Sequence, residues 1–156
     1  MRRNDKEIKD PEVIEEILNQ SKVCRIGLYD GEYPYIVPFN YGYHNRALYF
    51  HSAVSGKKIN LIQVNNKACF EIEYDSHILR HDQACKWTTK YRSVIGYGEI
   101  EFITDPEEKK KGLDKIMEHY GRSAVNVYDE KHVKDIVILK LTIDKLTGKQ
   151  SGNWDR

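Results

Sequence analysis

The stretch with the clearest structural pattern in this chain is Tyr49-Phe50-His51-Ser52-Ala53-Val54-Ser55-Gly56-Lys57-Lys58-Ile59-Asn60-Leu61-Ile62. Its aromatic start predicts a strand, its small and hydroxyl residues predict a turn, and its end predicts a helix that begins with two lysines. The first N–H groups of a helix have no partners within the helix, and together with nearby ammonium groups they attract anions. The stretch therefore predicts a strand–turn–helix unit suited to a phosphate group.

Two common phosphate-binding loops are excluded by the spacing. A Walker A loop needs a glycine five residues before its Gly-Lys pair and Ser or Thr after the lysine. Those positions hold His51 and Lys58. The chain also lacks the G-x-G-x-x-G helix entry of a Rossmann fold. Taken alone, the lysine pair is more typical of an exposed turn with solvated side chains, so the phosphate assignment depends on its surroundings.

The composition narrows the class of protein. A chain of 156 residues predicts one domain with one core. Lys and Arg number 25 against 24 Asp and Glu, and a net charge of +1 offers no electrostatic basis for binding nucleic acid or an anionic membrane. The charged N-terminus is unlike a signal peptide, and no apolar run is long enough to span a bilayer. We therefore expect a cytoplasmic protein. The three cysteines lack a C-x-x-C spacing and predict no disulfide.

The hydrophobic periodicity predicts six strands and a few helices. One helix begins at Pro11 after the capping residue Asp10, and another follows Asp105 and ends at Gly121. Pro34 and Pro38 interrupt the second strand, which should therefore lie at a sheet edge or form a bulge. The predicted strands cover residues 23–29, 33–43, 47–51, 68–74, 91–103 and 136–143.

Short connections between these strands favour a small antiparallel barrel over a parallel βαβ sheet. Gly96 and Gly98 fall on one face of the longest strand. Such a pair marks either a sharp bend of the barrel or the close approach of a ligand, and both interpretations stay open. Residues 75–90 predict a polar, irregular surface segment, and residues 144–156 a polar tail. Within the first segment, His77, His81 and Cys85 are spaced for a zinc site on a helix, but no helical pattern supports one.

Several short motifs occur along the chain in a specific order: Met1–Asp10, Tyr35–Tyr41, Leu48–Ala53, Gly56–Lys58, Tyr91–Val94 and Thr147–Lys149. Their order and spacing resemble the FMN-binding split barrels of the pyridoxamine-phosphate-oxidase superfamily, and within it the nitroimidazole-resistance branch. The likeness covers most of residues 2–150. It implies a mainly β, six-stranded antiparallel FMN-binding split barrel over residues 1–150, followed by a polar C-terminal tail, 151–156. It also implies a homodimer with FMN at the subunit interface.

The resemblance also implies which residues contact the cofactor, grouped by the part of FMN that they approach. The isoalloxazine ring lies along Val37, Pro38, Phe39 and Asn40; the ribityl chain or ring edge meets His51 and Ser52; and the phosphate meets Lys57 and Lys58. Tyr91 and Ser93 approach from a neighbouring strand or from the second subunit, and Trp154 either folds over the partner's flavin or is disordered.

The activity implied by the resemblance is an FMN-dependent reductase acting on a small organic acceptor, such as a nitroimidazole-type nitro compound. The chain contains no nucleophile–base pair or acidic dyad, which is expected where the cofactor performs the chemistry. His51 is the candidate catalytic residue because its ordinary pKa is near neutrality, although a histidine at a strand end is more often a hydrogen-bonding residue. The alternatives are a non-catalytic flavin-binding sensor and a haem-binding relative.

Overall fold

A computed structural model describes residues 3–122 and 124–154. The first residues of the predicted domain, Met1 and Arg2, and the last two of the predicted tail, Asp155 and Arg156, lie outside the described part, as does Ser123. The helices are α1 (Pro11–Gln20), α2 (Lys57–Val64), α3 (Pro106–His119) and α4 (Glu130–Asp135). The strands are β1 (Glu7–Ile8), β2 (Cys24–Tyr29), β3 (Pro34–Phe39), β4 (Gly42–His44), β5 (Ala47–Ala53), β6 (Lys67–Leu79), β7 (Thr88–Ile103) and β8 (Ile136–Ser151).

All strand pairs that the structure describes are antiparallel and belong to one sheet. The strand order is β3-β2-β6-β7-β8-β5-β4, with β1 paired to β8. The predicted mainly β, antiparallel fold is confirmed, and the sheet is not closed, because β3 and β4 form its two ends. The predicted strand over residues 33–43 is divided into β3 and β4, and β1 is an additional strand.

The two prolines of β3 lie at a sheet edge, as predicted. β3 pairs with β2 on one side and is the first strand in the sheet order. Proline lacks a backbone N–H, so it is tolerated where a strand has no second neighbour to receive a hydrogen bond. The opposite side of β3 is therefore an unpaired backbone edge.

The sheet curls until its first strand approaches its sixth. The ring centroids of Phe39 in β3 and Phe50 in β5 lie 5.0 Å apart. Both side chains pack into one core whose largest fully buried members include Tyr41 and Phe70. No helix within the described residues has both the length and the apolar character needed to cross a lipid bilayer.

Two glycines of β7 permit this curl. A Cβ atom at Gly96 would overlap the ring of Phe70, and one at Gly98 would overlap the backbone oxygen of Thr142. The pairing of β7 with β8 also shifts register between Tyr97 and Gly98, which is the sign of a bulge. Protein atoms occupy the space of both missing side chains, so the bend, not the approach of a ligand, explains the glycine pair.

The predicted irregular segment 75–90 is strand at both of its ends and irregular only between them. β6 continues to Leu79 and β7 begins at Thr88, so the two strands form a long hairpin. The register shifts between Tyr74 and His77, where Asp75 has a φ of 48°. Both faces of this hairpin end are largely exposed, which explains its polar sequence. The polar residues 144–151 likewise belong to β8, whose last described pair is Tyr91 with Ser151.

The helix starts agree with the sequence prediction. The Asp10 side chain accepts a hydrogen bond from the N–H of Glu12, and the Asp105 side chain accepts two, from Glu107 and Glu108. Such caps satisfy N–H groups that the helix itself leaves without partners. They fix where α1 and α3 begin against the barrel.

We expect Gly98→Ala to lower the free energy of unfolding by roughly 1–3 kcal/mol, because the new Cβ forces the backbones of β7 and β8 apart. Gly27→Ala is the matched control, since a Cβ at this strand glycine would lie 3.7 Å from its nearest neighbour, the Cys69 oxygen. It should change stability by less than about 1 kcal/mol. Urea unfolding of both variants measures the difference, and equal losses would contradict the proposed role of Gly98.

Candidate functional site

The open side of the curled sheet brings most of the predicted site residues together. We call this place the seam: the unpaired edge of β3, the end of β5 and the first turn of α2. The ammonium nitrogen of Lys57 lies 4.8 Å from the ring centre of Tyr35, and that of Lys58 lies 5.3 Å from the ring centre of Phe39. The helix start therefore lies beside β3, although the two are separated by almost twenty residues of chain.

The strand–turn–helix unit has the predicted form. β5 ends at Ala53 and α2 begins at Lys57, with Gly56 as the residue that precedes the helix. Gly56 has a φ of 124°, a conformation that favours glycine, and open space surrounds its Cβ position. No side chain caps α2, whereas aspartates cap α1, α3 and α4. The first N–H groups of α2 are thus left without a capping side chain at the seam.

The two lysines of the turn differ in their partners. Lys57 Nζ donates to Asp30 Oδ2 at 2.9 Å, and the same carboxylate accepts from the N–H groups of Glu32 and Tyr33. The hydrogen bond from Lys57, with those backbone N–H groups, lowers the pKa of Asp30 to about 2. Lys58 makes no ion pair with the carboxylates of the described residues. Lys57 therefore holds the β2–β3 turn, while the Lys58 ammonium is available to an anion.

His51 and Ser52 lie on opposite faces of β5. Ser52 is buried, and its Oγ has no hydrogen-bond partner within the described residues. His51 is exposed and lies opposite Ile138 of β8, on the outer side of the sheet. Successive residues of a strand point to opposite faces, so one ligand cannot meet both side chains from the same side.

The four predicted residues of β3 also alternate. Val37 and Phe39 are opposite the buried Ile26 and Cys24, so their side chains face the core. Pro38 lies on the outer face, and Asn40 follows the strand in an exposed position. What this strand offers at the seam is mainly its unpaired backbone edge.

Tyr91 and Ser93 lie elsewhere in the same chain. They belong to β7, which is separated from β3 by β2 and β6. A single chain does not bring these two residues to the seam.

Trp154 packs against its own chain. Its ring lies 4.2 Å from the ammonium of Lys90 and 4.3 Å from the guanidinium of Arg92, and its Nε1 donates to the oxygen of Ser151 at 3.1 Å. Arg92 is itself buried and bonded to Glu16 and Gln150. Trp154 thus lies beside Lys90 and Arg92 at the start of β7, on the face of the strand opposite Tyr91.

Two hollows open on the outer face of the sheet, and the sequence analysis did not predict either. One, of about 660 Å³, is lined in part by Tyr29, Cys69 and Tyr97 and by none of the predicted site residues. The other, of about 260 Å³, is lined by Ser93, Ile95, Thr147 and Lys149. The sequence feature that could have indicated the larger hollow is Gly27. This glycine lies opposite Cys69 in the sheet and leaves room between its larger neighbours.

A buried aromatic cluster anchors the chain just after β3. Tyr41 is fully buried, donates its hydroxyl to the Leu18 oxygen at 2.7 Å, and stacks 4.3 Å from the ring of His119. His119 Nε2 lies 2.7 Å from the Ser21 oxygen. Burial lowers the pKa of His119 below its ordinary value, so the neutral ring is the native form. This cluster fixes the end of the edge strand that forms the seam.

Acid should weaken this anchor. Because the pKa of His119 is lower in the folded than in the unfolded state, the unfolded chain binds the proton more readily. The stabilisation that neutral His119 gives the folded state is present above about pH 6.5, and it is lost as the pH falls toward the pKa of His119 in the folded state. We expect His119→Gln to show a smaller loss of unfolding free energy between pH 8 and pH 5 than the unaltered protein, measured by urea unfolding. Identical pH dependence in both proteins would contradict this role of His119.

Comparisons with known proteins identify relatives of this chain. The family described as pyridoxamine 5′-phosphate oxidase matches residues 10–150. No curated protein sequence matches significantly. Among solved structures, a proposed 5-nitroimidazole antibiotic resistance protein from Bacteroides thetaiotaomicron is 37% identical and has a TM-score of 0.81, over 92% of this chain and 85% of that one.

Two more distant structures share the fold. A FAD- and haem-binding protein from Mycobacterium smegmatis has a TM-score of 0.84 at 19% identity, covering 97% of this chain and 76% of its own. A flavocytochrome from Azotobacter vinelandii has a TM-score of 0.82 at 17% identity, covering 98% and 72%. At these identities the likeness concerns the fold alone.

Proposed function

The chain belongs to the pyridoxamine 5′-phosphate oxidase family, and we propose on that basis that it is an FMN-dependent oxidoreductase that reduces a small organic acceptor. A nitroimidazole-type nitro compound is the acceptor class that we propose, because the relative at 37% identity is a proposed 5-nitroimidazole antibiotic resistance protein. The observation that carries the proposal is the uncapped start of α2 with the free Lys58 ammonium, next to the unpaired edge of β3.

The residues of the seam fit a flavin mononucleotide in three respects. The helix start and Lys58 suit a phosphate dianion. The unpaired N–H and C=O groups of β3 suit the edge of a flavin ring, which carries both donors and acceptors. The Ser52 hydroxyl, buried at the end of β5 and unpartnered within the described residues, would gain a partner if the ribityl chain reached it from the core side of that strand.

Bound FMN supplies the two-electron chemistry, and the chain supplies binding, orientation and a proton. Lys58 and the first N–H groups of α2 hold the phosphate, while Lys57 keeps its ion pair with Asp30 and so fixes the turn. The backbone edge from Val37 to Asn40 would hold the edge of the ring through its N–H and C=O groups. The imidazole of His51, exposed at the end of β5, holds or donates the proton that the acceptor needs.

We propose that the functional form is a homodimer. Tyr91 and Ser93 lie across the sheet from the seam of their own chain, so they reach a flavin only if it is bound by a second copy. The outer face near Ser93 carries a hollow of about 260 Å³ in which a partner's ligand or side chain has room. On this proposal each flavin is held by the seam of one subunit and covered by β7 of the other.

We expect Lys58→Ala to weaken FMN binding by about 10- to 100-fold, because the variant loses a charge-assisted contact with the phosphate. Riboflavin lacks the phosphate, so its affinity should change less than about threefold. Lys57→Ala is the matched variant in the same turn and should have a smaller effect on FMN, since Lys57 is already paired with Asp30. Fluorescence titration measures FMN and riboflavin affinity for the Lys58 variant and FMN affinity for the Lys57 variant. An equal loss of FMN and riboflavin affinity in the Lys58 variant would reject Lys58 as the phosphate ligand.

We expect His51→Ala to lower the turnover of a nitro compound by roughly 100-fold while FMN affinity stays within about threefold, because general acid catalysis contributes on that scale. His44→Ala, an exposed histidine on the neighbouring β4, is the control and should leave turnover unchanged. Steady-state kinetics with flavin-saturated protein provides the measurement. Full turnover in the His51 variant would reduce this residue to a structural role.

The absorption spectrum of the purified protein separates this proposal from its alternatives. A flavin spectrum with no reoxidation by a nitro compound would favour the non-catalytic flavin-binding module, and a haem spectrum would favour a haem-binding relative. A colourless protein that gains no thermal stability from added FMN would reject the cofactor proposal.

A further inference from the structure

The two oxygens of the Asp30 carboxylate have separate partners. Oδ1 accepts hydrogen bonds from the backbone N–H groups of Glu32 at 3.1 Å and Tyr33 at 2.7 Å, and so closes the turn between β2 and β3. Oδ2 accepts a hydrogen bond from Lys57 Nζ at 2.9 Å. One oxygen therefore maintains the turn, while the other binds the first residue of α2.

The ion pair between Asp30 and Lys57 is sheltered on the side of the carboxylate. Only 16% of the Asp30 side chain is exposed. The hydrogen bond from Lys57, with the two backbone N–H groups, lowers the pKa of Asp30 to about 2, so the carboxylate is ionised at neutral pH. The Lys57 ammonium also lies 4.8 Å from the ring centre of Tyr35. A carboxylate and an aromatic ring therefore both hold Lys57 beside the β2–β3 hairpin.

The positive charge offered to a phosphate at the seam is smaller than the lysine pair suggests. A phosphate monoester carries a charge of roughly −1.5 to −2 at pH 7. The uncapped start of α2 supplies roughly half a positive charge, and the Lys58 ammonium supplies one more. The charge of Lys57 is matched by Asp30, although Lys57 is the first residue of that helix. The seam therefore neutralises a phosphate incompletely while it contains a second lysine.

We propose that Asp30 withholds Lys57 from the phosphate of FMN and thereby keeps the cofactor exchangeable. The inference rests on the proposed function for the identity of the ligand, and it deepens that function by stating what limits the affinity. Asp30 acts on the ligand only through Lys57 and is therefore a positioning residue. Affinity differences between variants of one site arise mainly in the dissociation rate, so the presence of Asp30 shortens the residence time of FMN.

The substitution Asp30→Asn separates the two tasks of this residue. The amide keeps Oδ1 as the acceptor of the turn and places an NH₂ donor against the Lys57 ammonium, so the turn is retained and the ion pair is lost. The released lysine then adds a charge-assisted contact to the phosphate. We expect FMN to bind at least about tenfold more tightly and to dissociate at least about tenfold more slowly, while riboflavin affinity changes less than about threefold.

Fluorescence titration measures both affinities, and stopped-flow dilution of the FMN complex measures the dissociation rate. Glu32→Gln is the matched control, because it removes one negative charge from the same turn and Glu32 makes no ion pair within the described residues. It should change FMN affinity less than about threefold. Unchanged or weaker FMN binding by Asp30→Asn, or an equal gain in Glu32→Gln, would overturn the proposal.

A double-mutant cycle tests whether Lys57 is the group that Asp30 withholds. In a Lys57→Ala background the substitution Asp30→Asn has no lysine to release. FMN affinity of the double variant should therefore match that of Lys57→Ala within about threefold. Thermal unfolding of each variant verifies the fold. A gain in FMN affinity that persists without Lys57 would mean that the carboxylate acts by repulsion alone, and it would overturn the proposed role of the lysine.

Inorganic phosphate separates this proposal from the proposed function, because its binding raises the thermal unfolding temperature without any flavin. We expect phosphate to stabilise Asp30→Asn more than the unaltered protein or Glu32→Gln. That result without FMN binding by any variant would reject the flavin site and retain the withheld lysine. Stoichiometric FMN binding with equal affinity in Asp30→Asn and the unaltered protein would retain the flavin site and reject the withheld lysine. Equal stabilisation by phosphate without FMN binding would reject both.

Discussion

The fold depends on the absence of two side chains. β7 and β8 are the longest strands, and β3 and β5 lie on opposite sides of this pair in the sheet. If the β7–β8 pair were flat, β3 and β5 would be far apart. Gly96 admits the ring of Phe70 and Gly98 admits the backbone at Thr142, so the sheet bends sharply at its centre. The bend brings Phe39 onto Phe50 and leaves β3 with an unpaired edge beside the start of α2. The candidate site is therefore a consequence of the bend and lies where the curled sheet stops short of closing.

Much of this architecture follows from local sequence rules. Aspartates before α1 and α3 mark where each helix starts, and the prolines of β3 predict an edge strand or a bulge, of which the structure has the edge. Local rules failed where a strand has no core beneath it. The outer end of the β6–β7 hairpin and the end of β8 lack the alternation of apolar and polar residues, because water or other surface residues meet both faces, and they were predicted as loop and tail.

The candidate site was predictable in its parts and not in its assembly. The strand–turn–helix unit follows from the order of residues 49–62, and the structure places it beside β3. No pattern in the sequence indicates that Asp30 engages Lys57 and leaves Lys58 free, because that ion pair joins two turns distant in the chain. The separation of Tyr91 and Ser93 from the seam is equally a matter of strand order, which hydrophobic periodicity does not encode.

The position of the tryptophans has an optical consequence. The chain contains two of them: Trp87 lies at the tip of the β6–β7 hairpin, and Trp154, which follows β8, is stacked on Lys90 and Arg92 at the base of that hairpin. Selectively excited tryptophan emission therefore comes from the tip and the base of the β6–β7 hairpin. No tryptophan lies among the described residues of the barrel core. Tryptophan fluorescence therefore reports on the outer part of this hairpin without any added label.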